Sequence, residues 1–285
     1  MGTVIPDITI LYDTIRWEEK SLRAAAQKMS VDVAMTDCKK LALDLESPAE
    51  GFGTILQRCV SYYRNVHSTA ALEGAGARVI NPHLTGVLAG NKLYSHMLLR
   101  KAGVPVPRAA VSFSQEAALR ALDDLGYPAV IKPTVGSWGR MISRLNDSET
   151  AGAILESRER MYPIYHIHYT EEFVRRPPRD IRAIMVGGSV VAAIYRTSGD
   201  NMWKTNTALG GTAEPCPVSP EMEEICARAS EAVGGQIVGV DLMESEDGLV
   251  VHEVNNTTEF KNTVRVTGVD IPGAMVEYAK QVGRR

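Results

Sequence analysis

Two alternating apolar runs, Ile237–Glu244 and Leu249–Asn255, are joined by Ser245-Glu246-Asp247-Gly248. An Asp-Gly dipeptide between such runs signals a β-hairpin. With the turn centred near Asp247, Asp241 and Glu253 lie six residues to either side. Equal offsets from a turn place residues roughly opposite each other in an antiparallel pair. Asn255 is two residues beyond Glu253 and shares its face. Asp241, Glu253 and Asn255 are therefore expected to form one cluster of oxygen ligands. Facing carboxylates repel unless a cation lies between them, and hard oxygen donors suit Mg²⁺ beside a phosphate substrate. The plainer alternative is a solvated hairpin face carrying scattered acids.

Around this hairpin, short apolar runs alternate with helical stretches, which indicates an α/β or α+β fold. Ile8–Tyr12 reads as a first strand, 18–29 as a helix, and 77–80 as a strand after a second helix. This first block, to about residue 90, resembles a small doubly wound unit. Residues 91–102 read as a helix that Asn91 caps and Gly103 closes. Further helices are expected over 114–125 and 220–233, with strands at 127–133, 181–186 and 190–195.

The chain has 285 residues, with 31 Lys+Arg against 34 Asp+Glu and a net charge of −3. That balance argues against a general nucleic-acid binder, which needs a basic excess. No apolar run approaches the roughly 18 residues that a membrane helix requires, so no membrane partner is expected. Residues 1–6 lack a basic segment followed by an apolar stretch, so no signal peptide is expected. Cys38, Cys59, Cys216 and Cys226 form no CxxC pair, which disfavours structural zinc and a disulfide framework. Reduced thiols and a cytoplasmic location follow as expectations.

Several cations stand where a phosphate could use them. Lys132 ends the apolar strand 129–131, and Lys92 opens the helix after Asn91. Either is also at home as an ordinary strand-end or surface lysine. Gly136-Ser137-Trp138-Gly139-Arg140 follows Lys132 closely, and its glycines would let backbone N–H groups approach an anion. It matches neither common phosphate-loop pattern and would also suit a hairpin turn. Trp138 is unusual in a plain turn and would suit a lid. His166-x-His168 lacks a nearby third ligand and reads as structural. The run Arg175, Arg176, Arg179, Arg182 reads as a solvated basic face or an anion-binding patch.

Taken in order, Lys92, 131–133, 136–140, Glu171-Glu172-Phe173-Val174, 179–182, Asn206 with Gly210-Gly211, Asp241 and Glu253-Val254-Asn255 resemble the ATP-grasp ligases. The stretches 253–262 and 267–273 are similar to the RimK-type carboxylate–amine ligases, and within them to the branch that charges the amino-group carrier protein LysW. The resemblance implies an α+β ATP-grasp fold behind an N-terminal doubly wound (Rossmann-like, pre-ATP-grasp) α/β unit. It implies divisions at 1–90, 91–173 and 174–285. It implies ATP and Mg²⁺, as two ions, and an acyl-phosphate route from carboxylate to amide in lysine biosynthesis. The activated carboxylate would be the side chain of the carrier's C-terminal Glu, and the amine that of α-aminoadipate.

The roles it implies are as follows. Lys92 and Lys132 hold phosphates under the flap Gly136, Ser137, Trp138, Gly139 and Arg140. Glu171, Glu172, Phe173 and Val174 form the hinge that reads adenine, with a carboxylate near the ribose. Arg182, Arg196 and Asn206 serve the reacting phosphoryl group, and Asp241, Glu253 and Asn255 bind the metal. Thr257, Glu259, Phe260, Asn262 and Thr263 set amino-acid specificity. Sister ligases that use glutamate tend to carry Gly-Phe where this chain has Asn262-Thr263, and a Phe would shorten the pocket. Glu171 stands where Gln is common, and Pro178 where Gly is usual. Homo-oligomers are usual in the family. The arginines of 175–182 are a candidate docking patch for an acidic carrier. A glutamate ligase, a ligase serving both amino acids, and a non-catalytic nucleotide-binding protein are the alternatives.

Overall fold

The computed structural model describes residues 5–136, 139–197 and 211–284. Strands β1 (Ile8–Tyr12), β2 (Val33–Asp37), β3 (Thr54–Gln57) and β4 (Arg78–Ile80) form a parallel sheet in the order β2-β1-β3-β4. Helices α1 (Trp17–Lys28) and α2 (Tyr62–Gly74) make its crossovers. β1 reads as a continuous apolar run because a parallel sheet is covered on both faces, and Ile8, Ile10 and Leu11 are fully buried.

Helices α3 (His83–Ala89) and α4 (Lys92–Lys101) lead to a second sheet. The Asn91 side chain accepts from the amides of Leu93 and Tyr94, as expected of a cap. The second sheet is antiparallel, in the order β5-β8-β6-β7, from β5 (Ala109–Ser112), β6 (Ala129–Lys132), β7 (Ser143–Leu145) and β8 (His168–Glu172). Helices α5 (Gln115–Leu125) and α6 (Ser148–Glu159) pack on it, capped by Ser114 and Asp147. The glycine loop joins β6 to β7.

The third sheet has the order β11-β10-β9-β12-β13, again antiparallel. Its strands are β9 (Arg179–Val186), β10 (Ser189–Thr197), β11 (Thr212–Pro215), β12 (Ile237–Ser245) and β13 (Gly248–Asn255). Helix α7 (Pro220–Ala232) lies between β11 and β12 in the chain, and α8 (Lys261–Thr267) and α9 (Ile271–Gly283) follow β13.

Strand alternation gives this sheet two faces of different character. Ile181, Ala183, Met185, Val238, Val240, Leu242, Val251 and Val254 share one core with α7 and with Leu99 of α4. On the other face, Ile184, Val186, Ala192 and Ile237 join Ile8, Ile10 and Leu22 of the first unit and Ile271, Met275 and Val276 of α9. The core of the first unit therefore does not end near residue 90. That second face turns from apolar to charged along its length, and the charged end carries Asp180, Arg182, Arg196 and Asp241. Among the described residues, no helix is long and apolar enough to cross a membrane.

Candidate active site

The hairpin β12–β13 places Asp241 opposite Glu253 and Gly239 opposite Asn255. The turn is shorter than a centre at Asp247 implies, since Ser245 already pairs with Gly248. Continued without interruption, that register would set His252 against Asp241. A bulge between Asp241 and Leu242 absorbs the difference, because Leu242 pairs with Val251 and Asp241 with Glu253. His252 is the extra residue, so His252 and Glu253 together oppose Asp241. Gly239 leaves space for the chain beyond the hairpin, since a Cβ there would meet the Thr258 hydroxyl at 2.3 Å.

The carboxylates expected to need a cation have side-chain cations beside them. Arg182 holds Asp241 in a fork, with Nε to Oδ1 at 2.8 Å and Nη2 to Oδ2 at 2.7 Å. Arg196 reaches the same Oδ2 at 3.0 Å and grips Asp180 at 2.7 and 2.8 Å. Burial alone would raise the Asp241 pKa, but the two arginines outweigh it and hold the carboxyl well below its usual range. Burial would likewise lower the Arg196 pKa, but Asp241 and Asp180 outweigh it and raise it. The Asn255 amide lies 3.4 Å from Asp241 Oδ2. Asp241, Glu253 and Asn255 thus lie together as oxygen donors, a set whose chemistry fits a hard divalent cation. Among the described residues, no three His, Cys, Asp or Glu side chains group to hold a metal; the expected trio includes an amide.

The two lysines converge on this hairpin from different elements. Lys92 Nζ donates to Glu253 Oε1 at 3.0 Å and to the Gly136 carbonyl at 2.8 Å, while its backbone amide donates to Thr134. The first residue of α4 therefore ties the glycine loop to the hairpin. Burial would raise the Glu253 pKa, but Lys92 outweighs it and keeps the group ionised at neutral pH. Lys132 is 2% exposed and pairs with Glu171 on the neighbouring strand β8. Tyr169 donates to the other Glu171 oxygen at 2.7 Å, and Lys132 outweighs burial to hold Glu171 ionised.

His252 Nδ1 lies 3.3 Å from Lys132 Nζ. Burial, reinforced by Lys132, pushes its pKa down to about 4, so the ring is neutral at pH 7. Alternation counted from the turn already sets His252 on the charged face opposite Asp241, and the bulge adds Glu253 to that same face. Counted back from Glu253, a strict two-residue period would place His252 on the core face with Val254, so the sequence pattern gives no sign of it.

The remaining expected residues fall as follows. Gly136 has φ +151°, a conformation that favours glycine, and Arg140 is exposed. The Glu172 amide donates to Arg108 and the Phe173 amide to Pro128, and Arg144 stacks 4.3 Å over the Phe173 ring. Val174 is half-buried. The Glu171 carboxylate, expected in a hinge with an acid near the ribose, is directed to Lys132 instead. Ser137, Trp138, Asn206 and Gly210 lie outside the described residues. Of the arginine run, expected as a solvated face or an anion-binding patch, Arg175 is exposed and the strand residues are half-buried. Strand alternation turns Arg182 onto Asp241, while Arg179 pairs with Glu244 and stacks on Tyr195. His166 and His168 do not form a metal pair, since His168 is buried beside Glu159 and the half-buried His166 ring bonds the Met161 carbonyl.

Next to Arg182 and Arg196 opens a pocket of about 350 Å³, bounded by the expected residues Glu259, Asn262 and Thr263. The start of α1 supplies Arg16, Trp17 and Glu18 to it, a contribution from 240 residues away that the sequence did not announce. Glu18 accepts the amides of Phe260 and Lys261 and so fixes the start of α8. Phe260 is fully buried against the Trp17 ring edge. Thr257 does not line the pocket but accepts from Asn65.

Residues 89–279 match the RimK-like ATP-grasp domain, and residues 8–88 match the LysX preATP-grasp domain. The chain is 37% identical over 278 residues to the alpha-aminoadipate–LysW ligase LysX of Sulfurisphaera tokodaii, covering 95% of this chain and 97% of that one. It is 30% identical over 275 residues to the glutamate–LysW ligase ArgX of Sulfolobus acidocaldarius, covering 96% of this chain and 98% of that one. A RimK domain ATP-grasp protein from Sphaerobacter thermophilus superposes with a TM-score of 0.78 at 24% identity, over 95% of this chain and 98% of its own. The chain belongs to the RimK-like ATP-grasp family.

Proposed function

We propose that this chain is an ATP-dependent ligase that joins the α-amino group of α-aminoadipate to the side-chain carboxylate of the C-terminal Glu of LysW, in lysine biosynthesis. One observation carries the reading. Two buried lysines and the Asp241–Glu253 pair converge beside a pocket walled by Asn262 and Thr263.

In this reading Lys92 and Lys132 leave their carboxylate partners to meet the phosphates of ATP. The carrier carboxylate attacks the γ-phosphorus, ADP departs, and an acyl phosphate forms. The α-amino group then attacks the acyl carbon and releases phosphate, with one proton lost from nitrogen. Arg182 and Arg196 lie between hairpin and pocket, where charge builds on the phosphoryl oxygens. Asp241, Glu253 and Asn255 would hold Mg²⁺, taken as two ions, which screens the phosphate charge. The first unit, the second sheet and the third sheet divide these tasks along 1–90, 91–173 and 174–285. Asn206 and the flap residues Ser137 and Trp138 complete the assignment. A cytoplasmic, self-associating enzyme is part of the same reading.

The test is phosphate release with ATP, Mg²⁺ and LysW, with aminoadipate or glutamate supplied separately. A clear aminoadipate preference supports the proposal. Equal rates would make it a ligase for both amino acids, and a glutamate preference would move it to arginine synthesis. No turnover with either would leave a nucleotide-binding protein without ligase activity.

A further inference from the structure

The pocket beside Arg182 holds four arginine and lysine side chains, and they are not alike. Arg182 and Arg196 are committed to Asp241 and Asp180 through forked pairs. Arg16 uses Nε and Nη2 on Glu19, at 3.2 and 2.7 Å. Its remaining nitrogen, Nη1, reaches Glu259 Oε1 at 3.3 Å, and Glu259 is itself 38% exposed. Lys261 is exposed and has no carboxylate within 4.0 Å among the described residues. The pocket thus offers one loosely engaged guanidinium nitrogen and one free ammonium. Trp17 and Ile194 give it apolar wall.

We propose that Arg16 and Lys261 form the site for the distal carboxylate of the amino-acid substrate, which takes Arg16 Nη1 from Glu259. The assignment rests on the ligase reading above for the direction of the substrate. The reacting amine must lie toward Arg196 and Asp241, so the second carboxylate points away from them, toward α1 and the start of α8. The methylene chain then runs between Trp17 and Ile194. Asn262, the neighbour of Lys261, measures its length. Arg16 is a good choice for this task because Glu19 holds the rest of the guanidinium, so little rotamer freedom is lost on binding. Glu259 acts as a stand-in for the missing carboxylate and competes with it.

Two measurements on the full chain test this. The first is calorimetric binding of α-aminoadipate and of its distal amide, without carrier. The second is phosphate release with ATP, Mg²⁺ and LysW at varied amino acid. The unaltered protein should prefer the acid to the amide by about tenfold or more, as expected for hydrogen bonds to a charged group. Arg16→Met should erase that preference and raise KM for aminoadipate at least roughly tenfold, with KM for ATP unmoved. Arg16→Lys should restore part of it, and Lys261→Met should have a smaller effect in the same direction. Glu259→Gln should lower KM for the amino acid, because it removes the competitor. A purely structural role for Arg16 would instead depress kcat and melting temperature for acid and amide alike. An acid preference that survives Arg16→Met, or a raised KM in Glu259→Gln, would overturn the assignment. Acid-selective binding without turnover would overturn the ligase reading and leave this one standing. Turnover that ignores the distal group would do the reverse, and neither binding nor turnover would remove both.

Discussion

The side of the cleft proposed for phosphate and the side proposed for the amino acid handle charge in opposite ways. On the phosphate side, Lys132–Glu171 and Arg196–Asp180 are buried pairs in close contact. On the amino-acid side, Arg16 touches Glu259 at 3.3 Å and Lys261 faces solvent. Buried cations need partners to be kept in the fold at all, because desolvation of an unpaired charge is costly. The phosphate side therefore keeps its cations in place with carboxylates that a polyanion must displace. The amino-acid side has an open pocket, where Lys261 stays solvated and Arg16 is held by Glu19 with one nitrogen toward the opening. A polyanion can repay the displacement of several pairs, whereas one small zwitterion cannot.

The contrast can be broken most directly at Glu253. Glu253→Ala should reduce phosphate release by roughly 10³-fold or more, the scale of losing a charged group that holds a metal at the reacting oxygens. Circular dichroism should show the variant folded, and activity within tenfold of the parent would remove Glu253 from the site. Next is Lys132→Met, which strands Glu171 in the interior and should cost about 3–5 kcal/mol in urea unfolding. Adding Glu171→Gln should recover most of that loss, and a double variant no more stable than the single would show that the pair does not act as argued. No comparable loss should follow Lys261→Met, which strands nothing.

The third effect is one of pH. The folded pKa of His252 near 4 lies below its ordinary 6.5, so the unfolded chain binds the extra proton between these values. Stability should therefore rise with pH from about 4 to 6.5, by at most about 3 kcal/mol from this residue. Asp241 adds a loss of the same sign at lower pH, since its carboxyl is depressed below its ordinary value. His252→Leu should flatten the slope between pH 4 and 6.5; an unchanged slope would assign it to other groups. The smallest effect belongs to the amino-acid side. Asn262→Gly with Thr263→Phe should shift the ratio of kcat/KM for aminoadipate and glutamate by about 1–3 kcal/mol, the scale of one methylene. An unmoved ratio would put the selector elsewhere.

What could be read from the chain follows the range of the signals involved. The Asp-Gly hairpin and the Asn91 cap were legible because they are local patterns, whereas the meeting of Glu253 with Asp241 depends on a bulge that corrects for a shorter turn than the sequence suggests. β2 was missed: Val33–Asp37 is half-buried throughout and carries no clean alternation. The partnership of Lys92 with Glu253 spans 161 residues and that of Arg16 with Glu259 spans 243, so neither leaves a local trace. For the arginine run, charge alone allowed a solvated face or an anion patch, whereas position in β9 decides which face Arg179 and Arg182 take.

The bulge in β13 has a consequence for how this hairpin can change its length. Shortening the chain by His252 would leave a plain two-residue turn followed by an uninterrupted ladder, with Glu253 still across from Asp241 and Val251 and Val254 still in the core. A loss of one codon, ordinarily ruinous in a strand, would here subtract a single side chain from the cleft. Chains of this family that differ by one residue at this point could therefore share one carboxylate-bearing face, and the histidine would be the part that is optional.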